Sequence, residues 1–319
     1  MGGPPPWDGR GAVGARRLDG VRLLLTGGSG FLGGHLQAAA EARGATVLAP
    51  GRAAADLRDP AAVRALFVAL RPDVVVHAAV QGGGIGWMRD HPVESGRDNA
   101  LMALAVLDAA QVAGVRAVVG VGSACAYPRD CPVPFREEAL WDGAPEPLNA
   151  AYGMAKRLMI ELGAAYSAQH GVPVASPLLA NLYGPGDHLS PARAHVIAAL
   201  IQRCLAAPPA LEVWGSGTPT REHLYITDAA EGVLASIGFD GAINIGSGDE
   251  RSIRQLASAV AAAVGYPGPI TFDPSRPDGQ PRKCLDPSRA AALLGWRAVV
   301  PLEEGLARTV AWYRAAGAG

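Results

Sequence analysis

Residues 23–36 read LLLTGGSGFLGGHL, in which Gly27, Gly30 and Gly33 separate a run of leucines from a segment with helical apolar periodicity. Glycines in such a turn allow the backbone to approach a pyrophosphate, and the helix that follows offers free N–H groups to negative charge. The flanking strand and helix favour this interpretation over a glycine-rich turn without a ligand. The stretch therefore predicts a dinucleotide-binding strand, turn and helix. Besides the glycines, the turn residues that we expect at the cofactor are Phe31 and Leu32.

Short apolar runs alternate with helical patterns from this stretch to about residue 180. Strands are predicted at 21–26, 45–49, 73–77, 115–121 and 172–180, and helices at 31–43, 60–70, 94–113 and 149–170. Repeated strand–helix units indicate an α/β fold, a Rossmann-type doubly wound parallel sheet covered on both faces. The segment 99–110, NALMALAVLDAA, is apolar on nearly every face, so we expect it to be buried against the sheet and a second surface, such as a partner subunit.

The domain organisation follows from a change in the sequence pattern after Tyr183. From there on, clusters of Pro and Gly separate shorter predicted elements. We expect a disordered extension over residues 1–20 and a dinucleotide-binding Rossmann domain over 21–182. Residues 183–319 are expected to form mainly a smaller C-terminal substrate-binding lobe over the carboxyl edge of the sheet, with some segments returning to the sheet.

The composition excludes several classes of function. A net charge of −1, without a basic block, gives no field that would hold nucleic acid or an anionic membrane. No apolar run approaches the roughly 20 residues of a membrane span, and the N-terminal residues lack the apolar core of a signal peptide. The four cysteines stand at irregular spacings without a Cys-x-x-Cys pair, which argues against disulfides or zinc. We expect a soluble cytoplasmic protein with no metal site.

The second predicted strand ends in Gly51 and Arg52 rather than in an acid. An acid at this position binds the ribose 2′-hydroxyl of NAD, whereas an arginine accommodates the 2′-phosphate of NADP. The sequence therefore favours NADP(H), with the alternative that Arg52 is one more surface arginine.

Tyr152 and Lys156, in AYGMAK, are four residues apart and so share one face of a predicted helix. A neighbouring ammonium lowers the pKa of a phenol from about 10 toward the range useful in acid–base catalysis. Only Lys156 and Lys283 among the 28 basic residues are lysines, and a lysine retained in such a chain favours a site that needs a compact ammonium. Ser123 follows the fourth apolar strand, at the sheet edge where open α/β proteins bind ligands.

Cys125 stands two residues after Ser123 in GSACAYP and is expected to face the same crevice. A thiolate can remove a proton from a carbon next to a ketone, provided that neighbouring charge lowers its pKa from about 8.5. An inert buried thiol is the alternative, and the local sequence leaves both open.

These stretches resemble the GDP-L-fucose synthases, the GDP-4-keto-6-deoxymannose 3,5-epimerase-4-reductases of the extended short-chain dehydrogenase/reductase family. The similarity extends from residue 21 to near the C-terminus and is densest in GSACAYP, EPLNAAYGMAK, NLYGPGDH, VWGSGTPTREHLYITD and PDGQPRKCLD. It implies that Ser123, Tyr152 and Lys156 form the reductive triad. It also implies that Cys125 removes protons from C3 and C5 and His195 returns them on the other face. NADPH would then reduce C4 while Tyr152 protonates its oxygen.

The resemblance further implies binding residues and a homodimer, because related enzymes pair the helix near 99–110 with the Tyr152 helix. For the sugar nucleotide it implies Arg203, Trp214, Arg221 and either Asp278 or Lys283. For the cofactor it implies Asp56 and Leu57 near the adenine, Lys156 at the nicotinamide ribose, and Asn181 with Leu182 near the nicotinamide.

Departures from the family pattern leave the identity of the sugar open. Gln81 replaces a lysine, Ala124 replaces a serine, and residues 86–99 also differ. One alternative is therefore a 4-ketoreductase or 4-epimerase acting on another nucleotide sugar. A non-enzymatic NADP-sensing protein is a second alternative, and the intact Tyr152 and Lys156 pair counts against it.

Overall fold

The computed structural model describes residues 17–187, 195–276 and 278–317. The predicted N-terminal extension falls mostly on residues 1–16, outside this described part. The strands are β1 (Arg22–Thr26), β2 (Thr46–Leu48), β3 (Val74–His77), β4 (Ala117–Gly120), β5 (Gly122–Ser123), β6 (Val174–Leu179), β7 (Asn181–Tyr183), β8 (Leu211–Trp214), β9 (Thr220–Tyr225), β10 (Gly241–Ile245), β11 (Glu250–Ser252), β12 (Ile270–Asp273) and β13 (Arg282–Lys283). The α-helices are α1 (Phe31–Ala42), α2 (Pro60–Leu70), α3 (Ile85–Asp90), α4 (Pro92–Ala113), α5 (Ala150–His170), α6 (Val196–Leu205), α7 (Ile226–Ala235), α8 (Ile253–Val264), α9 (Ser288–Leu294) and α10 (Leu302–Ala315).

The main sheet runs in the order β2-β1-β3-β4-β6-β10, with β5 also paired to β6. All of its pairings are parallel. Every predicted strand and helix is present, with ends shifted by a few residues. Strands β3 and β4 are buried along their whole length, as expected for parallel strands covered on both faces. The predicted Rossmann-type α/β fold is therefore confirmed.

Side chains of successive strand residues enter cores on opposite faces of this sheet. Leu23 and Leu25 of β1 join the cluster that contains Leu36 of α1, whereas Leu24 joins the cluster under α2 and α4. The two-residue period of a strand accounts for this division. Because the chain passes from β1 to β2 on one side and to β3 on the other, the winding direction changes beside the carboxyl end of β1. Ligands of open α/β sheets bind at such a point.

The C-terminal part of the chain adds two small sheets and returns one strand to the main sheet. Strand β9 pairs with β7, β11 and β13, and β8 pairs with β12. Helices α6, α8 and α10 pack over these strands around the buried side chains of Tyr183, Ile201, Leu256 and Leu306. Strand β10 pairs with β6 at the edge of the main sheet.

Helix α4 contains the apolar segment 99–110 and is only partly covered. It buries Met102 and Val106 and packs on α2 and α5. Leu101 and Leu104 remain 38% and 39% exposed, and Met154 of α5 is 51% exposed. No helix in the described part of the chain has both the length and the apolar character needed to cross a membrane.

Candidate active site

The glycine turn after β1 is built for close backbone approach. Gly27 has a φ of +76°, and a Cβ there would lie 2.6 Å from the backbone nitrogen of Ala79, which follows β3. A Cβ at Gly33 would lie 2.0 Å from the carbonyl oxygen of Gly27. Helix α1 starts at Phe31 with Gly30 as its N-cap, so no side chain caps its first N–H groups. The turn thus fits a pyrophosphate, which these N–H groups and the helix dipole would bind.

The predicted reductive triad comes together beyond β5 and at the start of α5. Ser123 ends β5, and its hydroxyl oxygen accepts a hydrogen bond from the backbone of Cys125 at 3.2 Å. Gly153 lets α5 approach this turn, since a Cβ at that position would lie 2.5 Å from the carbonyl oxygen of Cys125. The Ser123 side chain lies close enough to the Tyr152 phenol to act on its pKa. Lys156 Nζ donates to the carbonyl of Val121 at 2.7 Å and lies 5.6 Å from the Tyr152 ring centroid.

The direction of the Tyr152 pKa corrects the sequence-based expectation. Burial raises this pKa, and the neighbouring Cys125 thiolate raises it further, while the nearby Ser123 side chain opposes them only in part. The expected depression of the phenol pKa by Lys156 is therefore wrong. The ammonium is bound to a carbonyl instead, and burial lowers its own pKa to about 8. A phenol with a raised pKa stays protonated, which suits a proton donor.

Cys125 lies between two hydrogen-bond donors. Asn149 Nδ2, directly before α5, is 3.2 Å from the Cys125 sulfur. Lys283 Nζ, from strand β13, is 3.3 Å from the same sulfur. Burial alone would raise the thiol pKa, but the charge of Lys283, the nearby Ser123 side chain and the hydrogen bonds from Lys283 and Asn149 bring it below its ordinary value. Of the two possibilities left open by the sequence, this geometry favours the base.

The other three cysteines contrast with Cys125. Cys131, Cys204 and Cys284 are buried, and burial raises the pKa of each, to about 11 for Cys131 and about 12 for Cys284. Thiols of this kind are poor nucleophiles and bases at neutral pH.

His195 precedes α6 and is paired with a carboxylate. Its Nδ1 lies 3.1 and 3.2 Å from the two carboxylate oxygens of Asp187, which is buried. The hydrogen bond to Asp187 raises the pKa of His195 and outweighs the opposing effect of burial. The centroid of the imidazole ring also lies 6.4 Å from the centroid of the phenyl ring of Phe31, which is next to the glycine turn. His195 is thus favoured in its protonated form, as an acid requires.

The residues expected at the sugar nucleotide fall into two groups. Arg221 of β9 is paired in register with Lys283 of β13. Its Nη2 lies near Gly279, next to Asp278, at 3.5 Å from the position that a Cβ would take on this glycine. Asp278 accepts hydrogen bonds from the backbone and hydroxyl of Ser216 at 2.7 and 2.8 Å.

The second group lies around β8. Arg203 of α6 donates to the carbonyl of Glu212, two residues before Trp214. Trp214 is 64% exposed and lies 5.0 Å below the guanidinium of Arg276.

The expected adenine and nicotinamide residues lie on different loops. Arg52 is exposed after β2, and Asp56 forms an ion pair with Arg58 that lowers the pKa of Asp56 to about 2. Leu57 packs against the core beneath α2 and α4. Asn181 begins β7, where its amide donates to the carbonyl of Glu222 at 3.0 Å, and Leu182 follows it.

The sequence did not single out three residues of this region. Asn149 contacts Cys125, and Asp187 contacts His195. Both stand inside stretches that carry the resemblance, but neither stretch tells which distant side chain its polar residue meets. His223 lies opposite Asn181 in the sheet and is 7% exposed, and within the described part of the chain neither of its ring nitrogens has a hydrogen-bond partner. Within the described residues, no cluster of three or more His, Cys, Asp or Glu side chains could hold a metal.

Comparison with known proteins places the chain among nucleotide-sugar enzymes. Residues 23–246 match the NAD dependent epimerase/dehydratase family. The chain belongs to this family. It is 37% identical to the GDP-L-fucose synthase of Sinorhizobium fredii, over 92% of this chain and 95% of that protein. It is 36% identical to the GDP-L-fucose synthase of Escherichia coli K12, over 92% and 96% of the two chains.

A solved structure agrees with this membership of the epimerase/dehydratase family. The GDP-L-fucose synthetase of Naegleria fowleri bound to NADP superposes with a TM-score of 0.83 and 28% identity, over 93% of this chain and 95% of that one. The resemblance to GDP-L-fucose synthases and the assignment to the oxidoreductases of this family are therefore confirmed.

Proposed function

We propose that this enzyme converts GDP-4-keto-6-deoxy-D-mannose to GDP-L-fucose by 3,5-epimerisation followed by NADPH-dependent reduction at C4. The observation that carries the proposal is the placement of Cys125 beside Lys283 and, through the close approach at Gly153, next to the start of α5, which carries the proton donor Tyr152. The identity of 36% and 37% to two GDP-L-fucose synthases supports this substrate.

Epimerisation begins with proton removal next to the ketone. The C4 carbonyl acidifies the hydrogens on C3 and C5, so that a thiolate at Cys125 can take one of them and leave an enolate. His195, protonated through its contact with Asp187, returns a proton to the opposite face of the same carbon. The Cys125 thiol then passes its proton to solvent and His195 takes one from solvent, which restores both groups before the same steps take place at the second carbon.

Reduction follows, because epimerisation needs the ketone. NADPH, when bound, supplies hydride to C4. Tyr152 donates its phenolic proton to the C4 oxygen, and the Ser123 hydroxyl lies next to the phenol. Lys156 Nζ lies 5.6 Å from the ring centroid and is hydrogen-bonded to the Val121 carbonyl, so we assign it to the cofactor and not to the pKa of the phenol.

The cofactor is held by the glycine turn and by separate loops. The N–H groups at the start of α1 would bind the pyrophosphate, and Arg52 would bind the 2′-phosphate that distinguishes NADP from NAD. Asp56 and Leu57 would hold the adenine, Lys156 the nicotinamide ribose, and Asn181 with Leu182 the nicotinamide.

The nucleotide part of the substrate lies toward β8 and β9. Guanidinium groups bind diphosphates through paired hydrogen bonds, and indole rings cover apolar or ring surfaces. The residues that we assign to this part are Arg203, Trp214, Arg221 and Asp278. Residues 183–319 thus supply mainly the substrate lobe and residues 21–182 mainly the cofactor domain.

We assign the exposed faces of α4 and α5 to a homodimer interface. Leu101 and Leu104 on α4 and Met154 on α5 are large apolar side chains exposed on neighbouring helices. A second copy would bury them. Sedimentation at micromolar concentration should give a dimer, and a monomer there would refute the assignment. With all four cysteines present as free thiols, a reducing cytoplasm is the compartment that we propose.

A labelling experiment tests the reaction. The enzyme is incubated with GDP-4-keto-6-deoxymannose and NADPH in D₂O, and the product is analysed by NMR for configuration and for deuterium at C3 and C5. We expect GDP-L-fucose labelled at both carbons. A reduced product without label would instead mean a plain 4-ketoreductase. A parallel series of dTDP- and UDP-linked 4-keto sugars tests the nucleotide, and faster turnover of one of these would refute the GDP assignment.

A further inference from the structure

The Cys125 sulfur accepts hydrogen bonds from two side chains of the fold. Lys283 Nζ and Asn149 Nδ2 approach it from two sides, at 3.3 and 3.2 Å, and both atoms carry only donors. A thiol would need an acceptor for its own hydrogen, and the nearby Ser123 hydroxyl oxygen already accepts the backbone N–H of Cys125 at 3.2 Å. A thiolate needs no acceptor. The Asn149 oxygen is buried and has no hydrogen-bond partner among the residues that the structure describes, so the amide directs its NH₂ group to the sulfur and leaves its carbonyl without a partner from them.

The fold fixes Lys283 at this sulfur through strand β13. Arg282 and Lys283 pair with Thr220 and Arg221 of β9. Immediately after the strand, the backbone of Leu285 donates to the buried carboxylate of Glu222 at 2.8 Å. These contacts set the register of the segment, so the ammonium reaches Cys125 across 158 residues of sequence.

Asn149 is fixed from the other side, directly before α5. It is buried, and its backbone N–H bonds to Glu146 at 3.1 Å. Helix α5 also brings the two other titratable groups that face Cys125, Tyr152 and Lys156. A thiolate here therefore lies among two ammonium groups and a neutral phenol.

We propose that Lys283 and Asn149 are positioning residues that hold Cys125 as a thiolate in the free enzyme, before any substrate binds. This inference rests on the proposed function in that Cys125 is the epimerisation base. The family resemblance implies that Lys283 or Asp278 binds the sugar nucleotide. The inference gives Lys283 a different role, at the catalytic sulfur. A preformed thiolate can start proton abstraction without first losing its own proton.

The test measures the reactivity of Cys125 without substrate. Alkylation by iodoacetamide is followed between pH 5 and pH 10 by mass spectrometry of the Cys125 peptide, in the wild type and in Lys283→Met, Lys283→Arg and Asn149→Asp. Arg282→Met serves as the matched control, since Arg282 adjoins Lys283 but bonds to Glu250. Each variant is first checked for its circular dichroism spectrum and melting temperature.

We expect the wild-type alkylation midpoint to lie below the ordinary thiol value of about 8.5. Lys283→Met should raise the midpoint by about one to three pH units and lower the rate at neutral pH roughly tenfold or more. Asn149→Asp should also raise it, because a carboxylate replaces the amide donor. Lys283→Arg should retain most of the shift, and Arg282→Met should match the wild type. Equal midpoints in the wild type and Lys283→Met would overturn the proposal.

A second measurement separates this inference from the proposed reaction. Deuterium uptake at C3 and C5 of the 4-keto substrate is measured with each variant at saturating substrate. We expect a lower maximal uptake rate in Lys283→Met with partial rescue on raising the pH. A raised KM with an unchanged alkylation profile would mean that Lys283 only binds the nucleotide. Absence of uptake in the wild type would refute the epimerase function itself, whatever the alkylation result.

Discussion

Both carboxylate oxygens of Asp187 lie within hydrogen-bond distance of Nδ1 of His195, at 3.1 and 3.2 Å. The contact fixes Nδ1–H toward the carboxylate and makes Nε2 the nitrogen that exchanges a proton with a substrate. Because the Asp187 side chain is buried, its charge acts on the imidazole with little screening. The pair therefore determines both the orientation of His195 and its protonation.

Replacing Asp187 by asparagine should lower the pKa of His195. The present pKa is raised, chiefly by the hydrogen bond to Asp187, so its loss reduces the protonated fraction near neutrality. We expect the alkaline limb of the deuterium-uptake profile to move down by about one pH unit. Glu161→Gln, on the exposed side of α5, is the control. An unchanged alkaline limb would show that His195 is not the acid.

Replacing Tyr152 by phenylalanine should abolish reduction more than epimerisation. The variant keeps the buried ring but removes the proton donor at C4, so NADPH oxidation should fall by a factor of about 10² to 10⁴. Deuterium uptake at C3 and C5 should fall less, since Cys125 and His195 remain. Parallel assays by absorbance and NMR check this, and equal losses in both would contradict the division of roles.

Arg52 is expected to select the cofactor. In Arg52→Ser, the KM for NADPH should rise roughly tenfold to a hundredfold, in line with loss of about 1.5–3 kcal/mol from a charged hydrogen bond. The KM for NADH should change little, because NADH lacks the 2′-phosphate. Arg64→Ser removes another exposed arginine, from α2, and should alter neither constant. If both cofactors are affected equally by Arg52→Ser, the residue does not read the 2′-phosphate.

Two buried histidines should make the fold sensitive to acid. Burial is the main cause that lowers the pKa of His77 and of His223 to about 3. In the unfolded chain their pKa is about 6.5, so between these values only the unfolded state binds the protons. Stability is thus fully present above pH 6.5 and is lost as the pH falls toward 3, by up to about 1.4 kcal/mol per pH unit for each histidine.

The contribution of His223 can be isolated by His223→Phe, which keeps an aromatic ring next to Tyr183. Urea unfolding at several pH values between 7.5 and 4 should show a smaller loss of unfolding free energy in the variant than in the wild type. Identical slopes would mean that His223 is protonated in the folded protein.

Gly33 and Gly34 form a matched pair for testing the glycine turn. In Gly33→Ala the new Cβ would meet the Gly27 carbonyl at 2.0 Å, so the turn must shift. We expect a loss of about 1–3 kcal/mol in unfolding free energy and weaker NADPH binding. Gly34→Ala meets nothing within 4 Å and lies inside α1, so it should stabilise by about 0.5–1 kcal/mol. Thermal melts of the two variants with and without NADPH measure their stability and their binding of NADPH. Equal melting temperatures and equal shifts with NADPH in Gly33→Ala and Gly34→Ala would contradict the geometry.

The sequence by itself determined the strand and helix order and the places of Ser123, Tyr152 and Lys156. These features are local: apolar periodicity sets the elements, a four-residue spacing sets a shared helix face, and the end of a parallel strand sets the ligand edge. The local sequence also placed Cys125 in the same crevice as Ser123 but left its role open. The resemblance implied the role of Cys125 and added His195, without saying what surrounds either residue.

Only the tertiary structure decided how these groups are charged. The contact of Lys283 with Cys125 joins residues 158 positions apart, and it depends on the register of β13 against β9. Likewise, the sequence predicted a lowered pKa for Tyr152 from the nearby lysine, whereas burial by surrounding elements raises it. Spacing along a helix shows which groups are neighbours. The free-energy cost of removing water from a charged group depends on all the side chains that pack around that group. The sign of its pKa shift is therefore a property of the whole fold.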